Sequence, residues 1–122
     1  MYAVGPEQVA VMFYKQPGTG TKCVRYIYRN KVLERCPQPN QTLVTVTGVE
    51  PAADGKSYTI VAGRTLNNAI RTVTVEFADG VSQPLTTNAG GYIAIIQGVK
   101  QPVRATPIDV SGNLIGAVVP IQ

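Results

Sequence analysis

Apolar and polar positions alternate with period two in segment after segment of this chain, and nowhere does the 3.6-residue period of an amphipathic helix take over. Residues 42–47, Thr42-Leu43-Val44-Thr45-Val46-Thr47, show the pattern cleanly, with one aliphatic face and one threonine face. Residues 70–77, Ile70-Arg71-Thr72-Val73-Thr74-Val75-Glu76-Phe77, repeat it. They run into Asp79-Gly80, two residues that tolerate the positive φ of a tight hairpin turn. Further strands are predicted over residues 8–14, 57–62, 81–87, 92–97, 103–110 and 114–119. Turn formers separate them: Gln16-Pro17-Gly18-Thr19-Gly20, Pro37-Gln38-Pro39-Asn40, Glu50-Pro51-Ala52-Ala53-Asp54-Gly55, Asn88-Ala89-Gly90-Gly91 and Ser111-Gly112-Asn113. About ten short strands with such punctuation predict an all-β, antiparallel β-sandwich of immunoglobulin-like type, each sheet burying one face.

The segment from Cys23 to Cys36 adds two more strands and a constraint. With Arg29-Asn30 as a two-residue loop, Tyr28 faces Lys31, Ile27 faces Val32, Tyr26 faces Leu33, Arg25 faces Glu34 and Val24 faces Arg35. Cys23 then faces Cys36. Counting outward from the loop makes the cysteines a non-hydrogen-bonded pair, whose Cα atoms approach to about 4.5 Å, a separation that a disulfide accepts. The spacing is not the Cys-x-x-Cys of a redox site. A structural Cys23–Cys36 bond predicts an oxidising compartment, so the expected location is extracytoplasmic, secreted or on a cell surface. Residues 1–6 carry neither the basic segment nor the apolar run of a secretory leader, which pulls the other way. A leader replaced by Met1, or a virion surface protein folded inside a cell and exposed later, reconciles the two.

Residues 60–116 resemble the β-sandwich modules of secreted and surface-attached bacterial proteins. The resemblance is carried by Ile70-x-x-Val73-x-Val75-x-Phe77-x-Asp79-Gly80, then Gly91-Tyr92, Pro102-Val103-x-Ala105 and Asp109-x-x-Gly112. It implies a strand leading to an Asp-Gly turn, a glycine-aromatic strand, and a closing hairpin, and it carries no functional residues. The 122 residues suit one sandwich domain. An internal echo, Val9-Ala10-Val11-Met12-Phe13 against Val73-Thr74-Val75-Glu76-Phe77, raises a pseudo-repeat of residues 1–50 and 57–122 as an alternative organisation.

The net charge of +4 sits in one place. Residues 1–40 hold six basic and two acidic side chains, while residues 41–122 hold five of each. The excess falls on and beside the cysteine hairpin, where Arg25, Arg29, Lys31 and Arg35 join Tyr26 and Tyr28. Basic and tyrosine side chains are the residue types of interface hot spots, so these six are the candidate partner-binding residues. The plainer reading of the same residues is a core face: Tyr26 and Tyr28 share a side with Val24 and Leu33, and Lys31 and Arg35 reach past its rim.

Chemistry is sparse. Histidine is absent, which removes the commonest general base and metal ligand. Two cysteines do not make a structural zinc site. The carboxylates Glu50, Asp54, Asp79 and Asp109 fall in predicted turns, where such groups bond their own backbone. Calcium held between loops by Asp54, Asp79 or Asp109 is a weaker option, because the sequence has no calcium-type loop. Asn40-Gln41-Thr42 fits the glycosylation pattern of a eukaryotic secretory host. No run approaches the ~20 apolar residues of a membrane helix. The expectation is a non-enzymatic structural or binding module without cofactor or metal. Its partner would be a protein or an acidic surface polymer, with nucleic acid disfavoured. A self-assembling filament or virion-decoration subunit is the alternative, a homo-oligomer for which the apolar end, residues 115–121, offers a strand to lend.

Overall fold

The computed structural model describes residues 2–4 and 7–121. Met1, Gly5, Pro6 and Gln122 lie outside the described residues, and with them part of the reading of residues 1–6. Eleven strands are described: β1 (Tyr2–Val4), β2 (Glu7–Lys15), β3 (Lys22–Tyr28), β4 (Lys31–Arg35), β5 (Leu43–Pro51), β6 (Ser57–Thr65), β7 (Thr72–Phe77), β8 (Ser82–Thr86), β9 (Gly91–Gln97), β10 (Pro102–Ile108) and β11 (Val119–Pro120). Every pairing is antiparallel. The strands form three sheets, in the orders β1-β2-β3-β4, β5-β6-β9 and β11-β10-β7-β8.

The expected antiparallel immunoglobulin-like sandwich is present. Strands β5 to β11 divide three and four between two facing sheets, and the chain crosses from sheet to sheet after β6, β8 and β9. Between these sheets, Leu43, Val61, Ile70, Val73, Val75, Phe77, Leu85, Tyr92, Ala94, Ala105 and Val119 form one core cluster. Strands β1 to β4 add a four-stranded meander on the other face of β5-β6-β9. There Val4, Val9, Val24, Tyr26 and Tyr28 meet Val44, Val46, Ile60 and Ala62 in a second cluster. The three-stranded sheet is thus a wall between two cores. Its middle strand shows this directly, because Thr59 through Gly63 are all buried, with Ile60 and Ala62 on one side and Val61 on the other.

Close approach at that wall depends on glycine. Tyr92 on β9 crosses over Gly63 on β6, and its hydroxyl donates to the Val44 carbonyl on β5 at 2.9 Å. A Cβ on Gly63 would stand 2.2 Å from the Tyr92 ring and 2.4 Å from that carbonyl oxygen. The buried Thr59 is satisfied by donating to Gly98 O at 2.8 Å and accepting from Lys100 N at 2.9 Å.

Several sequence expectations are corrected. The strand β5 continues through Glu50 and Pro51, which the turn formers around them had assigned to a loop. Proline is tolerated there because β5 is an edge strand of its sheet. Strand β6 runs three residues past the expected end, to Thr65. The Ser111-Gly112-Asn113 turn forms, but the return strand over residues 114–119 does not. Leu114 makes a single bridge to Ile108, Gly116 turns away at φ 74°, and only Val119–Pro120 pairs again with β10. The apolar C-terminal segment therefore lies against its own sheet, with Val119 in the core. Asn88-Ala89-Gly90-Gly91 forms the expected turn, and it links two sheets. Strand β1 had no forecast.

Candidate functional site

The hairpin β3–β4 has the register read from its mirrored ends: Tyr28 faces Lys31, Ile27 Val32, Tyr26 Leu33, Arg25 Glu34 and Val24 Arg35. Arg29 takes the positive φ of the loop, 55°. Cys23 and Cys36 are bonded, with Cα atoms 4.3 Å apart. Three clusters of charge brace the hairpin.

On the outer face, Glu34 Oε2 accepts from the Tyr14 hydroxyl at 2.7 Å and from Arg25 Nη2 at 3.1 Å. The Arg25 guanidinium lies 4.5 Å over the Tyr14 ring. The Tyr14 hydroxyl, then Arg25, holds the Glu34 carboxyl below its ordinary value. At the loop end, Arg29 Nη2 reaches Glu7 Oε1 at 2.6 Å. The Tyr28 hydroxyl is shared between Glu7 Oε2 and the Pro51 carbonyl, 2.9 Å away. Glu7 is lowered by Tyr28 first and Arg29 second, and burial pushes the Tyr28 phenol up to about 12.

The third cluster lies inside. Glu50 is 2% exposed, and its Oε1 accepts from Lys31 Nζ at 2.6 Å and from the Tyr26 hydroxyl at 3.0 Å. Burial, then the Glu50 charge, pushes the Tyr26 phenol upward. Gly48 makes the room, since a Cβ there would fall 2.0 Å from the Tyr26 hydroxyl oxygen. The carboxylate expected in a solvated turn is thus the buried anchor between the meander and the sandwich.

Of the six candidate partner-binding residues, Tyr26 and Tyr28 belong to the core and offer no contact area. Arg25, Arg29 and Lys31 keep exposed surface, but each is committed to a carboxylate. Arg35 is exposed and makes no ion pair among the described residues. Part of the surface that the hairpin presents is apolar. Ala10, Ile27 and Val32 stand in one cross-strand row on the outer face, with Met12 beside them. Val32 and Met12 are 52% and 46% exposed. Sequence reading missed this row because the β2–β3 register was not assigned; the continuous apolar run Val9-Ala10-Val11-Met12-Phe13 was its one visible sign.

The turn aspartates are dispersed. Asp54 accepts from Lys56 N and the Tyr58 hydroxyl, Asp79 from Val81 N and Lys100 Nζ, and Asp109 from Ser111 N and Asn113 N. Among the described residues no three metal-ligating side chains converge. Comparison with protein-family models, curated proteins and solved structures found no match.

Proposed function

We propose that this chain is a non-catalytic structural or binding module, of the bacterial secreted or surface-attached kind, that works outside the cytoplasm through surface contacts. One observation carries the reading: a disulfide and three ion pairs hold rigid a hairpin whose outer face is partly apolar and exposed. A preorganised surface of this kind binds with little ordering cost. Because the hairpin's arginines and lysine are mostly spent internally, its outer face favours a protein partner over an acidic polymer. The bond between Cys23 and Cys36 supports an oxidising compartment.

A second reading, self-assembly, is favoured by the strand edges. Proline interrupts β8 and β11 (Pro84, Pro120), β4 carries charge, and β1 is three residues long. Strand β9, Gly91-Tyr92-Ile93-Ala94-Ile95-Ile96-Gln97, is an edge with neither charge nor proline. Light-scattering mass across a concentration series separates the readings. A monomer throughout supports the binding module. Oligomers that Gln97→Lys dissolves support assembly through β9 and overturn it.

A further inference from the structure

All five ion pairs among the described residues leave six basic side chains without a carboxylate: Lys15, Lys22, Arg35, Lys56, Arg64 and Arg71. Five of these are exposed, where water solvates the charge. Arg64 is different. It projects from the end of β6 beneath the meander and is half-buried. Its Nε–H is shut away from solvent and has no acceptor among the described residues. The guanidinium is held in place by the Phe13 ring, 4.7 Å away, and by a bond from Nη1 to the Cys23 carbonyl at 3.4 Å. Phe13 is itself seated on Gly91, where a Cβ would come within 2.7 Å of its ring. A charge removed from water without a counter-charge is costly, and desolvation accordingly disfavours the charged form of Arg64.

The surroundings supply what an anion needs. Arg64 lines a cavity of about 190 Å3 together with Lys22, Phe13, Thr65, Asn68 and Gly90. An adjoining cavity shares Thr65, Asn68 and Gly90 and adds Arg71. Among the described residues no carboxylate lines either one.

From this arrangement we infer that the cleft between Lys22 on β3 and Arg64 on β6 binds an oxyanion, with a phosphate or sulfate group as the ligand class. The Arg64 guanidinium, fixed by Phe13 and the Cys23 carbonyl, and the lysine ammonium supply charge-assisted donors. The Phe13 ring gives the ligand an apolar wall. The Asn68 amide adds a neutral donor, while the Thr65 hydroxyl is already turned to the Gly90 carbonyl. This site is separate from the apolar row of the hairpin and does not rest on the surface-contact reading.

The test is an amide-resolved NMR titration with inorganic phosphate, and separately with inorganic sulfate and acetate, at constant ionic strength. Phosphate is expected to give saturable shifts at Lys22, Thr65 and Gly90. Arg64→Gln should weaken the phosphate affinity by about tenfold or more, and Lys22→Gln by about threefold. Lys56→Gln, at the other end of β6, should leave it unchanged. Saturation by sulfate but not acetate assigns a tetrahedral oxyanion, and saturation by acetate as well extends the class to carboxylates. If Arg64→Gln does not fold, the comparison of Lys22→Gln with Lys56→Gln decides alone. Linear, unsaturating shifts, or equal weakening by those two lysine variants, overturns the proposal.

Discussion

Removing the ammonium of Lys31 should cost more than its exposed position suggests. In Lys31→Met the aliphatic stem stays and the charge goes, so Glu50 is left buried with the Tyr26 hydroxyl as its remaining partner. Two limits bracket the cost. Breaking a fully buried pair costs about 3–5 kcal/mol, whereas an exposed pair is worth about 0.2–1 kcal/mol. Here the carboxylate is 2% exposed and the lysine 48%. The acid therefore keeps its desolvation while the base is half solvated, and ~2 kcal/mol is expected. For a chain of this size that lowers Tm by about 8 °C. Glu50→Gln should cost about 1 kcal/mol, since an amide oxygen still accepts from Tyr26 and Lys31 is free to hydrate. In the Glu50→Gln background, Lys31→Met should then cost under about 0.5 kcal/mol, giving a coupling near 1.5 kcal/mol. Urea unfolding of the four proteins at pH 7, with m unchanged, measures this. Equal costs of Lys31→Met in the two backgrounds, within about 0.3 kcal/mol, would refute the claim that this pair anchors the meander.

Reducing Cys23–Cys36, or replacing both with serine, should destabilise by about 3 kcal/mol in the chain-entropy model; urea midpoints with and without reductant check it, and an unchanged midpoint contradicts it. Acid should destabilise the fold. Glu7, Glu34, Asp54 and Asp79 all sit below their ordinary values of 4.5 for Glu and 3.8 for Asp, so the unfolded chain binds more protons as the pH falls. The stability they contribute is present above those values and is lost as pH drops below about 4.5; calorimetric Tm at pH 7 and 5 should agree, with a clear fall by pH 3. A Tm that holds or rises at pH 3 goes against the argument. Gly63→Ala should cost about 3 kcal/mol or more, because the new methyl meets backbone as well as the Tyr92 ring. Pairing it with Tyr92→Leu should recover only part, because the clash with Val44 O remains, and full recovery would place the strain wholly in the ring.

What could be read from the chain was what is local. The hairpin register followed from a two-residue loop and two cysteines at mirrored distances, and the Asp79-Gly80 turn from residue chemistry alone. Glu50 was misplaced because its neighbours, Pro51, Asp54 and Gly55, are turn formers, while the cause of its burial lies 19 residues away in Lys31. Tyr26 and Tyr28 showed the alternation of a core face, but the sheet that covers them is built from β5, β6 and β9. The Arg64 cleft was invisible for the same reason: its walls come from β2, β3, the end of β6 and the turn before β9. In the last segment the Ser111-Gly112-Asn113 turn was legible, yet Gly116 at positive φ ended the strand that should have followed.

The wall between the two cores has a consequence for how this protein can change over time. A strand on a sandwich surface has one side on which replacements are nearly free. Residues 59–63 have none, since each faces one packed interior or the other. Variation admitted along the exposed length of β4 is closed to β6. Any lineage carrying this fold should drift at its rim and outer sheet while this short central run stays uncharged, each position small or β-branched.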